Sequence, residues 1–136
     1  MFNYIHSTDP DFSGMLRFLT DELFAAERKG ERVWILGHVL TGWTGAEALD
    51  KPANLFFQIV SRFTPHTIAA IFFGHTHQDH FSVFYRAQSG ASRDISRHTR
   101  DARTVSFVGP SVTPLTNVNP SFRVYQVDPI LSLIHI

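Results

Sequence analysis

Two short apolar segments, each followed directly by Gly-His, constrain the fold of this chain most strongly. Residues 32–36 (RVWIL) lead into Gly-His at 37–38, and residues 67–73 (TIAAIFF) lead into Gly-His at 74–75. Short apolar runs of this kind are typical of buried parallel strands. Between them, apolar side chains recur at helical spacing over residues 53–63. The sequence therefore predicts a strand–helix–strand unit in which both strands end at Gly-His.

A further helix and three further strands complete the predicted fold. The helix should run from cap and turn residues at 7–11 to residue 29 and end at Gly30, since its apolar residues recur every three or four positions. Strands are expected at 81–86, 104–108 and 122–127, and a polar surface loop at 87–103. This order predicts an α/β fold, a mixed sheet with flanking helices.

The length of 136 residues is enough for one domain, which we expect to comprise residues 1–130. Hydrophobic residues make up 43% of the chain, so it can bury a core. The last six letters, LSLIHI, equal the translation of a transposase adapter end used in sequencing libraries. We therefore expect residues 131–136 to be a non-native tail.

Charge and cysteine content exclude several classes of function. Twelve Lys and Arg balance twelve Asp and Glu, and no basic run is present, so a nucleic-acid partner is not expected. The absence of Cys excludes disulfides and thiolate zinc sites. No apolar stretch reaches the roughly 18 residues that span a bilayer, and the first residues lack the features of a signal peptide.

Three of the eight His residues are candidate metal ligands. His38 and His75 follow the two strands, and ligands gather at the carboxyl ends of parallel strands. We expect extended chain at 75–77, with His75 and His77 projecting apart, so the pair could serve two ions or two separate roles. Neutral imidazole suits zinc, iron, nickel and copper alike. The alternative is that all three are structural His residues on turns.

Three imidazoles alone do not complete a two-metal site, which normally needs a bridging carboxylate. Asp79 is expected to cap the loop or to orient a ligand His rather than to bind metal. We expect His80 on a solvated loop and His98 on the surface. Trp43 and Tyr85 are expected to pack in the core or at its rim, although aromatic faces also attract quaternary ammonium groups.

Four segments in order resemble a known family: STDPDFSGML, ERKGERVWILGHV, FFGHTHQDHFSVFY and VGPSVTPLTNVNPSFRVYQVD. The order GH and then GHTH, 37 residues later (His38 to His75), is similar to the last two motifs of the calcineurin-like metallophosphoesterases. The surrounding residues resemble the acid sphingomyelinase branch of that superfamily. The resemblance covers nearly all of residues 3–128, apart from the loop at 87–103.

This resemblance implies a partial metallophosphoesterase sandwich, truncated at its N-terminus, that holds two metal ions, usually zinc, in the intact enzyme. It implies that His38 and His75 bind one ion and that His77 binds the other. The family's Asp-x-His, Gly-Asp and Gly-Asn-His motifs, which include the bridging Asp and the general acid, are absent from this sequence. No catalytic residue is therefore assigned, and the substrate-binding residues stay unknown.

The resemblance also implies a function, that of a phosphoric diester hydrolase. The chain would be a fragment of a secreted, lysosomal or vacuolar enzyme that contacts a membrane surface and cleaves sphingomyelin to ceramide and phosphocholine. The fragment itself is expected to be inactive. Alternatives are a nucleotide phosphodiesterase or other phosphodiesterase of the same superfamily, acting on a small-molecule substrate, and a non-catalytic remnant.

Overall fold

The computed structural model describes residue 9 and residues 11–41, 50–86, 98–128 and 134–135. Two helices and a mixed sheet of four strands dominate these residues, which confirms the predicted α/β fold. In chain order the elements are α1 (Met15–Lys29), β1 (Val33–Leu36), α2 (Asp50–Phe63), β2 (Ile68–Phe73), β3 (His80–Tyr85), β4 (Ala102–Val108), β5 (Gln126–Val127) and β6 (Ile134–His135).

The main sheet has the strand order β1-β2-β4-β3. Strands β1, β2 and β4 are parallel, and β3 pairs antiparallel with β4. The predicted strand–helix–strand unit is therefore confirmed: β1 and β2 are parallel neighbours, and α2 connects them along the chain. Both Gly-His pairs consequently lie at the same edge of the sheet.

Helix α1 shows why these residues form a helix with defined ends. The backbone N–H groups of Leu16 and Arg17 donate to the carboxylate of Asp11, at 2.9 and 2.8 Å, so the predicted capping is confirmed there. At the other end Gly30 adopts a φ of 69°, and its N–H faces the carbonyl groups of Ala26 and Glu27. The remaining predicted cap residues, 7, 8 and 10, lie outside the described residues.

The core lies between the two helices and one face of the sheet. Leu23 of α1, Val60 of α2 and Ile71 of β2 are all 0% exposed. Phe56 of α2 packs against Phe84 of β3 with ring centroids 6.2 Å apart. Burial of these apolar side chains supplies the main driving force for folding, at about 25 cal/mol for each Å² of apolar surface.

Within the described residues, neither helix is long and apolar enough to cross a membrane.

The chain departs from the prediction in its last third. Only Gln126–Val127 forms a strand, whereas residues 122–127 were expected to form one. The physical reason is that residues before it lie against the sheet face instead of joining the ladder: the Tyr125 ring contacts the rings of Phe72 and Phe107. Strand β5 pairs with β6, so that part of the 131–136 segment is described, and its non-native origin stays a prediction.

The polar loop expected at 87–103 ends earlier than predicted. The structure describes residues 98–103 of it: a 3₁₀ turn at Thr99–Asp101 and then the start of β4 at Ala102. The β3–β4 ladder extends that far because Ala102 pairs with Tyr85, and Arg86 N–H donates to the Asp101 carbonyl at 2.8 Å. Helix α2 also begins three residues before the predicted position 53.

Candidate metal centre

The loops after β1 and β2 are held side by side by backbone hydrogen bonds beyond the ends of the strands. The N–H of Gly37 donates to the Phe72 carbonyl, and the N–H of Gly74 donates to the His38 carbonyl, both at 2.9 Å. These bonds continue the parallel pairing of the two strands by about one residue on each side. The two His residues that follow Gly are therefore brought together by main-chain geometry.

His38 and His75 face each other at this edge. Their ring centroids are 5.4 Å apart, and the ring planes are inclined by 79°. A zinc–nitrogen bond of about 2.1 Å puts an imidazole centroid about 3.2 Å from the ion. Two imidazoles on one tetrahedral ion then have centroids about 5.2 Å apart. The observed separation fits a shared metal ion, so this pair of donors is compatible with zinc.

Close packing explains the first of the two glycines. A Cβ atom at Gly37 would lie 2.7 Å from Cε1 of Phe73, a distance that real side chains do not tolerate without movement. At Gly74 a Cβ would meet Nδ1 of His38 at 3.6 Å, which is an ordinary contact. The absence of a side chain at Gly37 therefore leaves room for the Phe73 ring.

The loop that carries His75 and His77 is a turn rather than extended chain. His75 has a φ of 78° and His77 a φ of 60°, both in the left-handed region that L-residues rarely adopt. Thr76 N–H donates to the Gly74 carbonyl at 3.0 Å, which closes the turn. The predicted extended chain at these two His residues is therefore wrong, because the chain turns directly after β2. On extended chain, residues two apart would have pointed to the same face.

The structure thus brings two of the three predicted ligands together. Among the described residues there is no cluster of three or more His, Cys, Asp or Glu side chains that could hold a metal ion. His77 is half-buried in the same loop but does not join the pair of His38 and His75. The described residues therefore bring together two candidate ligands, about half of the roughly four contacts that zinc prefers.

Asp79 forms an ion pair that the sequence did not predict. Its carboxylate accepts a hydrogen bond from the guanidinium of Arg123, 44 positions later in the chain. The pair is partly shielded: the Arg123 side chain is 24% exposed and that of Asp79 39%. Asp79 therefore ties the His-bearing loop to the C-terminal part of the described chain. A lone Arg in the segment SFRVYQV was the one available signal.

Of the other predicted positions, the structure contradicts one and confirms two. His80 is the first residue of β3 rather than part of a solvated loop, and its Nδ1 is buried without a hydrogen-bond partner among the described residues. That prediction is wrong because the β3–β4 pairing begins at His80. His98 is exposed and Tyr85 is half-buried, as expected. Trp43 lies outside the described residues.

The ion pair of Asp79 and Arg123 lies close enough to Tyr125 to affect the pKa of its hydroxyl. Burial raises the pKa of the Tyr125 hydroxyl, the positive charge of Arg123 lowers it, and the negative charge of Asp79 raises it. Both members of the ion pair therefore act electrostatically on a ring that packs against Phe72 of β2. Strand β2 leads directly into the loop that carries His75.

Comparison with known proteins finds relatives that are similar to this chain over most of its length. The chain is 38% identical over 128 residues to sphingomyelin phosphodiesterase 1 of Caenorhabditis elegans, covering 94% of this chain and 21% of that protein. It is 41% identical over 124 residues to human sphingomyelin phosphodiesterase, covering 91% and 17%, and 41% identical over 123 residues to sphingomyelin phosphodiesterase B of Dictyostelium discoideum, covering 90% and 18%. No family model matches the chain.

The matched region includes both Gly-His loops, since it covers nine-tenths or more of the chain in these relatives. The chain spans about a fifth of the length of the curated relatives it matches. Identity of about 40% over about 90% of its residues shows that this chain is homologous to the sphingomyelin phosphodiesterases.

Proposed function

We propose that this chain supplies imidazole ligands to the metal centre of a phosphodiesterase that acts on sphingomyelin. The observation that carries the proposal is the facing pair of His38 and His75, with ring centroids 5.4 Å apart at the end of two parallel strands. The homology to sphingomyelin phosphodiesterases supports both the reaction class and the lipid substrate.

His77 is proposed as a ligand of a second ion. It lies two residues after His75, is half-buried, and has a backbone conformation that costs an L-residue about 1–2 kcal/mol. Strained positions of this kind persist where the surrounding structure holds them, commonly at functional sites. Among the described residues His77 forms no three-ligand cluster with His38 and His75. This supports a division of the three imidazoles between two ions.

When bound, two zinc ions polarise the phosphoryl oxygens of a phosphodiester and lower the pKa of a bound water. The contribution of this chain is to hold neutral imidazoles in place at the edge of the sheet. Imidazoles add no negative charge, so a carboxylate ligand has to come from elsewhere in the protein. We accordingly expect the 136-residue chain alone to hydrolyse neither sphingomyelin nor a chromogenic phosphodiester with added zinc.

Metal binding by the chain itself tests this proposal. We expect zinc titrated into the 136-residue chain in a calorimeter to bind, and His38→Ala or His75→Ala to weaken that binding at least tenfold, because each removes one of two ligands. His66→Ala and His98→Ala are matched controls, since both residues are exposed, and they should leave the affinity unchanged. Equal losses in all four variants would refute the assignment.

Activity and location are tested in a longer protein that contains this chain. There, His77→Ala should lower the bound zinc from about two ions per chain toward about one and strongly reduce sphingomyelin hydrolysis to ceramide and phosphocholine. Retention of both ions would contradict the proposed division. We also propose, from the family resemblance, that this longer protein is secreted, lysosomal or vacuolar and meets its lipid at a membrane surface. Fractionation of cells that produce the longer protein, followed by immunoblotting, would contradict this by finding it only in the cytosol.

A further inference from the structure

The loop after β2 needs an external restraint. His75 and His77 both have positive φ, so the loop adopts a conformation that costs free energy compared with an ordinary turn. Within the loop itself, the backbone bond from Thr76 N–H to the Gly74 carbonyl is a short-range contact. Such a turn keeps its shape only when contacts from other parts of the chain oppose relaxation.

Arg123 provides a contact of this kind. Its guanidinium donates to the carboxylate of Asp79, which lies two residues after His77. An Arg–carboxylate hydrogen bond is charge-assisted and directional, and partial burial of both side chains lessens its screening by water. The contact therefore restrains the loop at its far end, while the sheet restrains it at Gly74.

Arg123 is itself held firmly. Two residues later the ring of Tyr125 packs against Phe72 of β2 and Phe107 of β4, with centroids 5.1 and 5.4 Å apart. Two residues earlier the N–H of Ser121 donates to the Ser111 carbonyl at 2.9 Å. The Arg123 backbone is thus anchored on both sides, so its side chain can transmit that rigidity to Asp79.

We propose that Arg123 is a positioning residue: its ion pair with Asp79 fixes the turn that presents His77 for metal binding. The metal part of this inference rests on the proposed function, whereas the restraint on the His77 ring does not. Removal of Arg123 frees the end of the loop, and His77 then samples other orientations. Residues that orient metal ligands typically change metal affinity by about 10–100-fold when they are replaced.

The experiment compares two Arg–carboxylate pairs in the 136-residue chain. Arg123→Ala and Asp79→Asn break the pair at the loop, and Arg62→Ala breaks the matched pair with Glu27, which lies between the two helices. The first measurement is the NMR signal of the His77 ring without metal, and the second is zinc affinity by calorimetry.

We expect Arg123→Ala and Asp79→Asn to shift or broaden the His77 signal and to weaken zinc binding about 10–100-fold. Arg62→Ala should change neither. Arg123→Lys keeps the charge but not the planar fork, so it should restore part of both readouts. The double variant Asp79→Asn/Arg123→Ala should be no worse than either single change, because the two residues act through one contact.

The outcomes separate the two proposals. An unchanged His77 signal in Arg123→Ala, or an equal change in Arg62→Ala, overturns the positioning role even where zinc binds normally. Should Arg123→Ala fail to fold, the signal in Asp79→Asn and Arg123→Lys decides the same question. Absence of zinc binding in the wild-type chain refutes the proposed function, while the His77 signal still decides the role of Arg123.

Discussion

Left-handed backbone occurs in two very different regions of the molecule, the ends of α1 and the loop after β2. At the helix ends the residues are Gly14 and Gly30, each with a φ of 69°. In the loop they are His75 and His77, with φ values of 78° and 60°. Glycine adopts this conformation freely, whereas an L-residue loses about 1–2 kcal/mol.

The difference separates what the chain does for stability from what it does for chemistry. A Cβ at Gly14 or Gly30 would meet nothing within 4 Å, so space does not require glycine there and the backbone conformation does. The loop instead retains imidazoles where glycine would relieve strain. Asn117, with a φ of 61°, is a third described non-glycine residue in this region, and Asn, like His, adopts it more often than most L-residues do. The ends of α1 therefore avoid backbone strain, whereas the loop after β2 retains it.

The helices α1 and α2 and the strands β1–β4 are here called the framework. The largest expected effect tests whether the framework provides the stability that offsets the strain in the loop after β2. Ile71 is 0% exposed in the middle of β2, so Ile71→Ala should lower the free energy of unfolding by about 2–5 kcal/mol through lost burial and a cavity. Urea denaturation followed by circular dichroism measures the loss. Leu36→Ala is the control on the neighbouring strand, because Leu36 is 76% exposed and should cost less than about 1 kcal/mol. Equal losses of unfolding free energy in the two variants would mean that the buried Ile71 side chain is not a main source of stability.

The framework was also the part that the sequence predicted best. Periodic apolar residues predicted α1 and α2, and the short apolar runs predicted β1 and β2, because burial on one face imposes these patterns. The prediction was wrong over residues 122–125, where apolar residues alternate with polar ones as in a strand. Arg123 contacts Asp79 and Tyr125 contacts the sheet face, and periodicity cannot distinguish this packing from strand pairing. The alternate residues, Phe122 and Val124, are exposed.

The candidate site was predictable only in part. The positions of His38 and His75 follow from strand pairing, so Gly-His after two parallel strands was enough to bring them together. The turn at His75 and His77 was not predictable, because His adopts positive φ more often than most L-residues but still only rarely, so Gly-His-Thr-His does not specify it. The Asp79–Arg123 ion pair joins residues 44 positions apart, and the lone Arg in the segment SFRVYQV does not by itself indicate which carboxylate it binds.

The next effect concerns glycine at the helix end. Gly30→Ala should reduce the free energy of unfolding by about 1–2 kcal/mol, since alanine must adopt the left-handed conformation to keep the helix cap. Thermal or urea melts followed by circular dichroism measure the change. Gly109→Ala is the matched control, because φ is not positive there and the added Cβ would lie 3.8 Å from the Phe73 carbonyl oxygen, an ordinary contact. If both variants lose the same stability, the conformational argument at Gly30 fails.

A smaller effect of opposite sign is expected in the loop. Without metal, His77→Gly should raise the free energy of unfolding by about 0.5–1 kcal/mol, because relief of strain exceeds the entropy that glycine adds to the unfolded chain. The same change should weaken zinc binding. His66→Gly serves as control: its φ is not positive and its side chain is exposed, so glycine there should destabilise. Destabilisation of similar size in both variants would remove the contrast between the loop and the framework.

The smallest effect concerns the framework's own ion pair and depends on pH. Arg62 donates two hydrogen bonds to the Glu27 carboxylate, at 2.9 and 3.0 Å, and its guanidinium lies over the ring of Phe63, 4.8 Å from the centroid. The hydrogen bond from Arg62 lowers the pKa of Glu27, burial opposes this, and the charge of Arg62 lowers the pKa further.

A carboxyl group whose pKa is lower in the folded state stabilises the fold above its unfolded pKa, and this contribution disappears as pH falls through the lowered folded value. The stability difference between wild type and Glu27→Gln should therefore be present at pH 7 and vanish between about pH 5 and about pH 2. It should be small, because the pair is exposed and screened by water and salt. Glu22→Gln on the same helix makes the same charge change at an exposed position and is the control. Urea midpoints measured at several pH values check this. A difference that persists at about pH 2 would mean that Glu27 stabilises the helices by packing rather than by its charge.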